Sequence, residues 1–539
     1  MAGTEKTSVK MHMCNLSLSF KSLLVFIYNI IHSLIYVLSG NQLLKPKIFP
    51  KNGIACNDMV ELAAGNNNVT ITKRVKEVRE IPGPRPLPFF GTLYSATSLT
   101  ATDVSRINEE RQKVYGNLVK EEHYWNIPII IVLGSDEIKK VVRDNSILRP
   151  EMEILSIYRS FNPNLYTSLG LVNSQGAMWK RLHRDFGFTT SPKFVRPMLP
   201  IFDEIISDTL DMFSEELSTT VKAFPQTLTK FITEVSFYVA CGQRVGFVGK
   251  QYSLETSKLE NFSNCHDKYW HSFHKSMYGF PWWKYFPTKI WREFTAAEDK
   301  MMETIAELSD ELLRTGTAGG ALEQVDKEVT SRSDINIVLL ELITGATEPV
   351  LHTIIFTLYW ITKHDHVYSR VMEEVRKALP SANSPFTNEV MDQIPYLKAC
   401  IMETFRICPI ATNVARFIDH EIQLGDYKIP PYTPLILQTA HACLQDSNFY
   451  RAKEYLPERW LLKEGVPPFS PHDRLVMNNF GIGTRACPGR RIAGDIINIF
   501  LTKIFRRFTV KFPQGLDIRF EWMMVAKDPI NIELIEHDT

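Results

Sequence analysis

The stretch Phe480-Gly481-Ile482-Gly483-Thr484-Arg485-Ala486-Cys487-Pro488-Gly489-Arg490-Arg491 constrains this chain more than any other. Glycines punctuate a loop, one cysteine ends it, and a helical pattern near 490–508 follows at once. Cys487 is thereby presented to a helix N-terminus and to two arginines, an electropositive setting that favours the thiolate, the form that ligates a metal ion or acts as a nucleophile. The flanking glycines permit a flat ligand to approach the backbone closely. A structural cysteine buried in a turn is the plainer alternative. Cys14, Cys56, Cys241, Cys265, Cys400, Cys408 and Cys443 stand far apart with no C-x-x-C pair. That spacing argues against zinc, iron–sulfur and thioredoxin-type sites, and against a disulfide framework.

The 539 residues carry 61 Lys+Arg against 60 Asp+Glu, a net charge of +1, with 44% hydrophobic residues. Such a composition is globular, and its near-zero charge argues against nucleic acid as a partner. Residues 22–39 are mostly apolar and about long enough to span a bilayer. The stretch before Asp58 has Glu5 as its acid and several lysines, so residues 1–51 read either as a membrane anchor or as a mitochondrial targeting segment. Residues 52–80 are polar and read as linker. The prolines of Ile81-Pro82-Gly83-Pro84-Arg85-Pro86-Leu87-Pro88 then dictate a stiff extended spacer.

From residue 81 to 539 no second linker or internal repeat interrupts the pattern. Amphipathic helical stretches lie near 101–115, 199–221, 296–315, 334–362, 364–379, 387–407 and 490–508, and strand signals near 129–132, 427–437, 525 and 530–535. The expectation is one large, mainly α domain with small β-sheets.

The pattern Phe480-x-x-Gly483-x-Arg485-x-Cys487-x-Gly489 resembles the haem-binding loop of cytochrome P450 monooxygenases. The resemblance implies haem b (iron protoporphyrin IX) with Cys487 as its axial thiolate, Phe480 shielding the sulfur and Arg485 holding a propionate. Glu403-Thr404-Phe405-Arg406, with Pro457-Glu458-Arg459-Trp460, is similar to the family's second signature, which makes Glu403, Arg406 and Arg459 a buried structural triad; Arg416 then matches a further propionate ligand. Gly176-x-x-Trp179 resembles the helix crossing the haem edge, where the family has arginine four residues on; this chain has His183, flanked by Arg181 and Arg184. A neutral histidine offers a hydrogen bond without fixed charge.

The oxygen-activating helix departs most from the family. Gly345 stands suitably in the apolar run 338–360, but Thr347 and Glu348 follow in the reverse of the usual acid–alcohol order, and Pro349 comes next. Pro349 removes an N–H and clashes with the carbonyl of residue 345, so the helix is expected to open there. Thr347 and Glu348 together are the expected proton donors, with His352 and Thr353 as further candidates.

Tyr115-Gly116, Lys120-Glu121-Glu122, Arg149-Pro150-Glu151, Tyr158-Arg159 and Arg490-Arg491 resemble the mitochondrial branch of the family, although Met402 stands where that branch often has a basic residue. The branch implies electrons from a ferredoxin and its reductase, docking on a basic face at Lys398, Arg490 and Arg491, and location at the mitochondrial inner membrane; endoplasmic-reticulum anchoring with a microsomal reductase is the alternative. Segments 168–176, 239–246 and 282–288 are similar to arthropod ecdysteroid hydroxylases, implying an apolar steroid substrate, with ecdysone hydroxylated at position 20 as the narrowest expectation. A haem-thiolate isomerase or dehydratase acting on peroxides without reductase, and a non-catalytic haem or lipid carrier, are the competing functions.

Overall fold

The computed structural model describes residues 74–88, 90–92, 104–122, 126–144, 148–215, 220–221, 223–249, 256–277, 281–461, 473–477 and 479–537. The expected targeting segment 1–51 and most of the 52–80 linker lie outside them. The longer helices are α1 (Val104–Tyr115), α2 (Ser135–Arg143), α3 (Glu153–Phe161), α4 (Gly176–Asp185), α5 (Leu199–Glu215), α6 (Phe224–Cys241), α7 (Thr256–Ser276), α8 (Lys289–Thr315), α9 (Arg332–Thr362), α10 (Asp365–Ala378), α11 (Pro395–Ile407) and α12 (Arg490–Arg507). Among the described residues four small sheets accompany this helical body; small sheets are what the sequence patterning predicts.

Helix α9 is the axis. Ser331 caps it by accepting the Asp334 N–H at 3.1 Å, and Asp334 places an acid in its positive first turn. Apolar residues occur all round its circumference, so it can be stable only inside the protein, and Ile335, Val338, Ile343, Ile354 and Leu358 are at most 1% exposed. The helix continues without interruption through Pro349, contrary to the expected opening. Proline still withholds the N–H that Gly345 O would accept, but packing on every side holds the flanking turns helical.

The sequence pattern missed α6 and α7. Helix α6 is buried on nearly every face, from Phe224 to Cys241, so no polar stripe marks its period. The predicted helix 387–407 is divided at Ile394, because the residue before Pro395 is disfavoured in helical conformation and proline begins α11.

The largest sheet orders β2 (Leu118–Glu122), β3 (Pro128–Val132), β8 (Leu435–Leu437) and β5 (Val414–Arg416). Strands β3 and β8 run parallel with Ile130 opposite Leu435, and β5 joins β8 antiparallel with Arg416 opposite Leu435. Arg416 is thus fixed by sheet register. The proline-rich stretch is extended as expected but is no free spacer: Pro82 O accepts the Lys120 N–H of β2 at 2.9 Å, and Ile81 is buried. Before it, β1 (Lys76–Glu77) pairs parallel with β7 (Tyr427–Ile429), so the end of the presumed linker belongs to the folded body. Near the C-terminus β10 (Ile518–Glu521) and β11 (Met523–Ala526) form an antiparallel hairpin.

Pro349→Ala restores a missing backbone donor inside α9. It is expected to raise stability by about 1–3 kcal/mol, read as a shift of the denaturant midpoint.

Candidate active site

The cysteine loop is closed by its own backbone. Cys487 N–H donates to Phe480 O at 2.6 Å, and Gly481, at φ 75°, occupies a conformation that excludes ordinary side chains; a Cβ there would meet Ala486 Cα at 3.2 Å. Phe480 packs edge-on to Phe405 of α11, ring centroids 5.4 Å apart. Cys487 remains exposed to the space it faces. Burial nevertheless raises its thiol pKa; the Gly489 and Arg490 N–H groups and the Arg490 and Arg149 charges offset that only in part. The expected thiolate-favouring setting is therefore incomplete without a further positive charge, such as a metal ion, at the sulfur.

Three guanidinium groups surround this space. Arg485 donates to Ser174 O at 2.7 Å and Gln175 Oε1 at 2.9 Å, and lies 4.2 Å from the Trp179 ring centroid. Arg416 arrives on β5 and donates to Ala415 O at 2.9 Å. Arg149, hydrogen-bonded to Val172 O, is the third. Burial, then the Arg149 and Arg416 charges, push Arg485 down to about 9; burial and Arg149 lower Arg416; burial lowers Arg149 although Glu341 and Cys487 pull it up. Among the described residues no ion pair engages Arg149 or Arg416. Converging, partly desolvated cations call for an anionic ligand.

His183 lies on α4 against Trp179, ring centroids 4.6 Å apart, and burial followed by the Arg485 charge lowers its pKa, so it is neutral at pH 7. Its flanking arginines are committed elsewhere: Arg181 to Asp334 at 2.6 Å and Arg184 to Asp185 at 3.2 Å. Arg149 supplies charge that position 183 lacks. The sequence reading treated it as a branch marker and missed this placement.

Helix α9 presents Gly345 to an open space, with nothing within 4 Å of where its Cβ would stand. At about 100° per residue, Glu341, Glu348, Pro349 and His352 fall within about 60° of Gly345, whereas Thr347 lies about 200° away. Thr347 is fully buried and donates its hydroxyl to Ile343 O at 3.1 Å. The expectation that Thr347 shares proton delivery is corrected by this geometry. Thr353 likewise donates back, to Pro349 O at 2.7 Å. Glu348 Oε2 accepts His352 Nε2 at 3.0 Å. Burial opposes ionisation of Glu348, but that bond and the His352, His274 and His266 charges outweigh it and hold its pKa below the usual carboxylate value.

Two buried ionic clusters frame the site. Glu403 accepts Arg406 at 2.7 and 3.0 Å, Arg459 at 3.0 Å and Trp460 Nε1 at 2.9 Å. Arg406 also reaches Cys443 O and Glu454 O, both at 2.9 Å, so α11 is tied to the segment 443–460. The second cluster is one that sequence reasoning missed. Arg159 of α3 binds Glu298 of α8 at 2.9 Å and Glu341 of α9 at 2.6 Å, while Glu341 also accepts the Val172 N–H at 3.1 Å. The available signal was Glu341 itself, an acid in an apolar helix, which must find a partner.

Lys398, Arg490 and Arg491 line one cleft of about 540 Å3 together with Cys487, His183 and Asp495. Burial pushes Asp495 up to about 6 against the pull of Arg491, Lys398 and Arg196, so this basic face contains one weak acid.

A cytochrome P450 family model matches residues 81–535. Ecdysone 20-monooxygenase of Drosophila melanogaster is 28% identical over 491 residues, covering 86% of this chain and 89% of that protein. Cytochrome P450 10 of Lymnaea stagnalis is 25% identical over 479 residues, covering 85% and 86% respectively. The Drosophila protein named "Cytochrome P450 302a1, mitochondrial" is 24% identical over 442 residues, covering 80% and 89%. With a helical body, a glycine-bounded cysteine loop and a family match across almost all described residues, the chain belongs to the cytochrome P450 family. It is a haem-thiolate monooxygenase by membership.

The residues present fit that cofactor. A flat dicarboxylate macrocycle would suit three converging arginines and the open space beside Gly345 of α9, and its iron would supply the charge the Cys487 sulfur needs. Arg149→Gln is expected to speed haem loss to excess apomyoglobin about ten- to hundredfold, the equivalent of one charge-assisted hydrogen bond. His183→Gln is expected to change that rate by less than about threefold.

Proposed function

We propose that this monooxygenase hydroxylates an ecdysteroid, with position 20 of ecdysone as the target, using electrons delivered by a ferredoxin in the mitochondrion. The observation that carries the proposal is the similarity to an ecdysone 20-monooxygenase along nearly the full length of both chains. Relatives named as mitochondrial support the compartment and donor. The basic side chains of Lys398, Arg490 and Arg491 around the cysteine-side cleft suit a small acidic electron carrier.

In this reading Cys487 would ligate the haem iron, Arg149, Arg416 and Arg485 would hold the propionates, Trp179 packs beside Arg485, and Phe480 would cover the sulfur. Glu403, Arg406 and Arg459 keep the segment leading into the loop in place. When bound, the haem supplies the oxygen-activating redox chemistry. The chain's own part is to bind an apolar substrate, exclude water and move protons. Gly345 leaves room beside α9, and Glu348, anchored by His352, is the proton donor of the cavity.

Two experiments test this. Purified protein is supplied with ecdysone and either a mitochondrial ferredoxin with its reductase or a microsomal reductase; a product heavier by one oxygen atom is expected with ferredoxin, and no product with either donor would overturn the substrate assignment. Separately, Glu348→Gln is expected to lower the product formed per reducing equivalent by at least about tenfold, while Thr347→Ala stays within about twofold of the parent. A coupled Glu348→Gln enzyme would remove Glu348 from proton delivery.

A further inference from the structure

A strand in a two-stranded hairpin turns every second N–H away from its partner, and those outward donors must find acceptors elsewhere if they are buried. In the β10–β11 hairpin the N–H of Lys527, just past β11, turns inward and donates to Asp517 O at 2.9 Å. Its neighbour Ala526, opposite Ile518, therefore points its N–H outward. Two outward donors of β11 have taken partners from other elements: Met524 N–H donates to Ile410 O, beyond the end of α11, at 2.9 Å, and Ala526 N–H donates to His352 Nδ1 of α9 at 3.2 Å. A histidine thus joins the hairpin to the helix that carries Gly345 and Glu348.

That contact decides the chemistry of the ring. A ring nitrogen that accepts a backbone N–H carries no proton of its own, so His352 holds its proton on Nε2 and donates it to Glu348 Oε2 at 3.0 Å. The imidazole is buried and stacks on Phe356 one turn further along α9, with centroids 5.9 Å and planes 25° apart. With both nitrogens bonded and the ring packed against Phe356, the side chain has one orientation.

Glu348 depends on that orientation. Among the described residues its carboxylate has no hydrogen-bond partner but His352. At about 100° per residue, His352 and Glu348 fall about 20° and about 60° to the same side of Gly345, so the bond draws the carboxylate toward the Gly345 line of α9. Gly345 is where the helix leaves open space, with nothing within 4 Å of a Cβ placed there. A glutamate is otherwise free to sweep its end group through several rotamers, and a proton donor works only within hydrogen-bond reach of the group it serves.

We propose that His352 is a positioning residue for oxygen activation: fixed by the Ala526 N–H, it holds the Glu348 carboxylate on the Gly345 side of α9 without exchanging protons itself. The proposal rests on the reading of Glu348 as the proton donor of the cavity. The sequence named His352 as a further candidate donor, and the geometry speaks against that role. To take up a second proton, Nδ1 would have to release the Ala526 N–H and leave it unpaired in the interior. The hairpin backbone, rather than any side chain of its own, is then what sets the angle of the donor.

The test uses full-length holoenzyme with ferredoxin and its reductase, or with the microsomal reductase should that be the donor. Hydrogen peroxide release is measured against reduction of dioxygen to water, with ecdysone and again with no substrate, since full reduction to water draws on the same protons in both cases. His352→Leu is expected to shift the partition toward peroxide by at least about tenfold with an unchanged thiolate-haem spectrum. His352→Asn, which can still accept the Ala526 N–H but is too short to reach Glu348, is expected to match it and serves if the leucine variant fails to hold haem. His352→Gln keeps an N–H donor for Glu348 yet cannot take up and release a proton, and is expected to recover the partition to within about threefold of the parent. Adding His352→Leu to Glu348→Gln is expected to worsen the latter by less than about twofold, as for two residues that act through one group. A parent-like partition in both His352→Leu and His352→Asn would overturn the proposal, and so would a glutamine variant as defective as leucine, which would make His352 a proton carrier, or a fully additive double variant. The Glu348→Gln variant separates the two ideas: if it is defective and the His352 variants are not, the positioning role alone fails; if Glu348→Gln is itself silent, the underlying reading fails.

Discussion

Everything around the site depends on like charge brought together in a desolvated space. Arg149, Arg416 and Arg485 come from a loop, a strand and the cysteine loop; the Arg149 charge lowers the pKa of both others, and Arg416 lowers that of Arg485. Such a cluster is unfavourable unless an anion occupies its centre. The sulfur of Cys487 has the complementary problem, a group that burial keeps protonated until a cation binds it. A cofactor that brings two carboxylates and a metal ion relieves both at once, so the family's haem is part of the electrostatic balance of this fold as well as of its chemistry.

Placing those groups requires a rigid frame, which the two buried ionic clusters provide. Glu403 collects two guanidinium groups and an indole N–H, and Arg406 spends its remaining donors on backbone carbonyls of a segment with little regular structure. Arg159 does the same between α3, α8 and α9. Isolated burial of such charges would be strongly unfavourable; dense hydrogen bonding is what makes each cluster tolerable, although Glu298 Oε2 in the second has no partner, and removing any one partner would strand the rest. Through Glu341 and Val172 the second cluster connects to Arg149, so the frame and the cation cluster are continuous.

The sequence was most legible where chemistry is local. The cysteine loop, the apolar run of α9 and the amphipathic α5, α8, α10 and α12 could be read directly, because their signals repeat within a few residues. Helix α6 could not, since burial on all sides erases periodicity. Thr347 was misread because adjacency in sequence suggested a pair with Glu348, whereas consecutive helical residues point in directions about 100° apart. Arg149 and Glu298 escaped because their partners come from distant segments.

Sequence alone determined the family, the cysteine loop that ends at Cys487, the mainly helical class and the absence of a family arginine at position 183, all of which are fixed by residue identity at short spacing. Tertiary structure alone decided that Arg149 is brought beside Cys487 and Arg485, that Glu348 lies on the Gly345 side of α9 while Thr347 does not, and that Pro349 is accommodated within α9. Those outcomes depend on the relative rotation of helices and on how much water reaches each group, quantities set by packing between segments far apart in the chain.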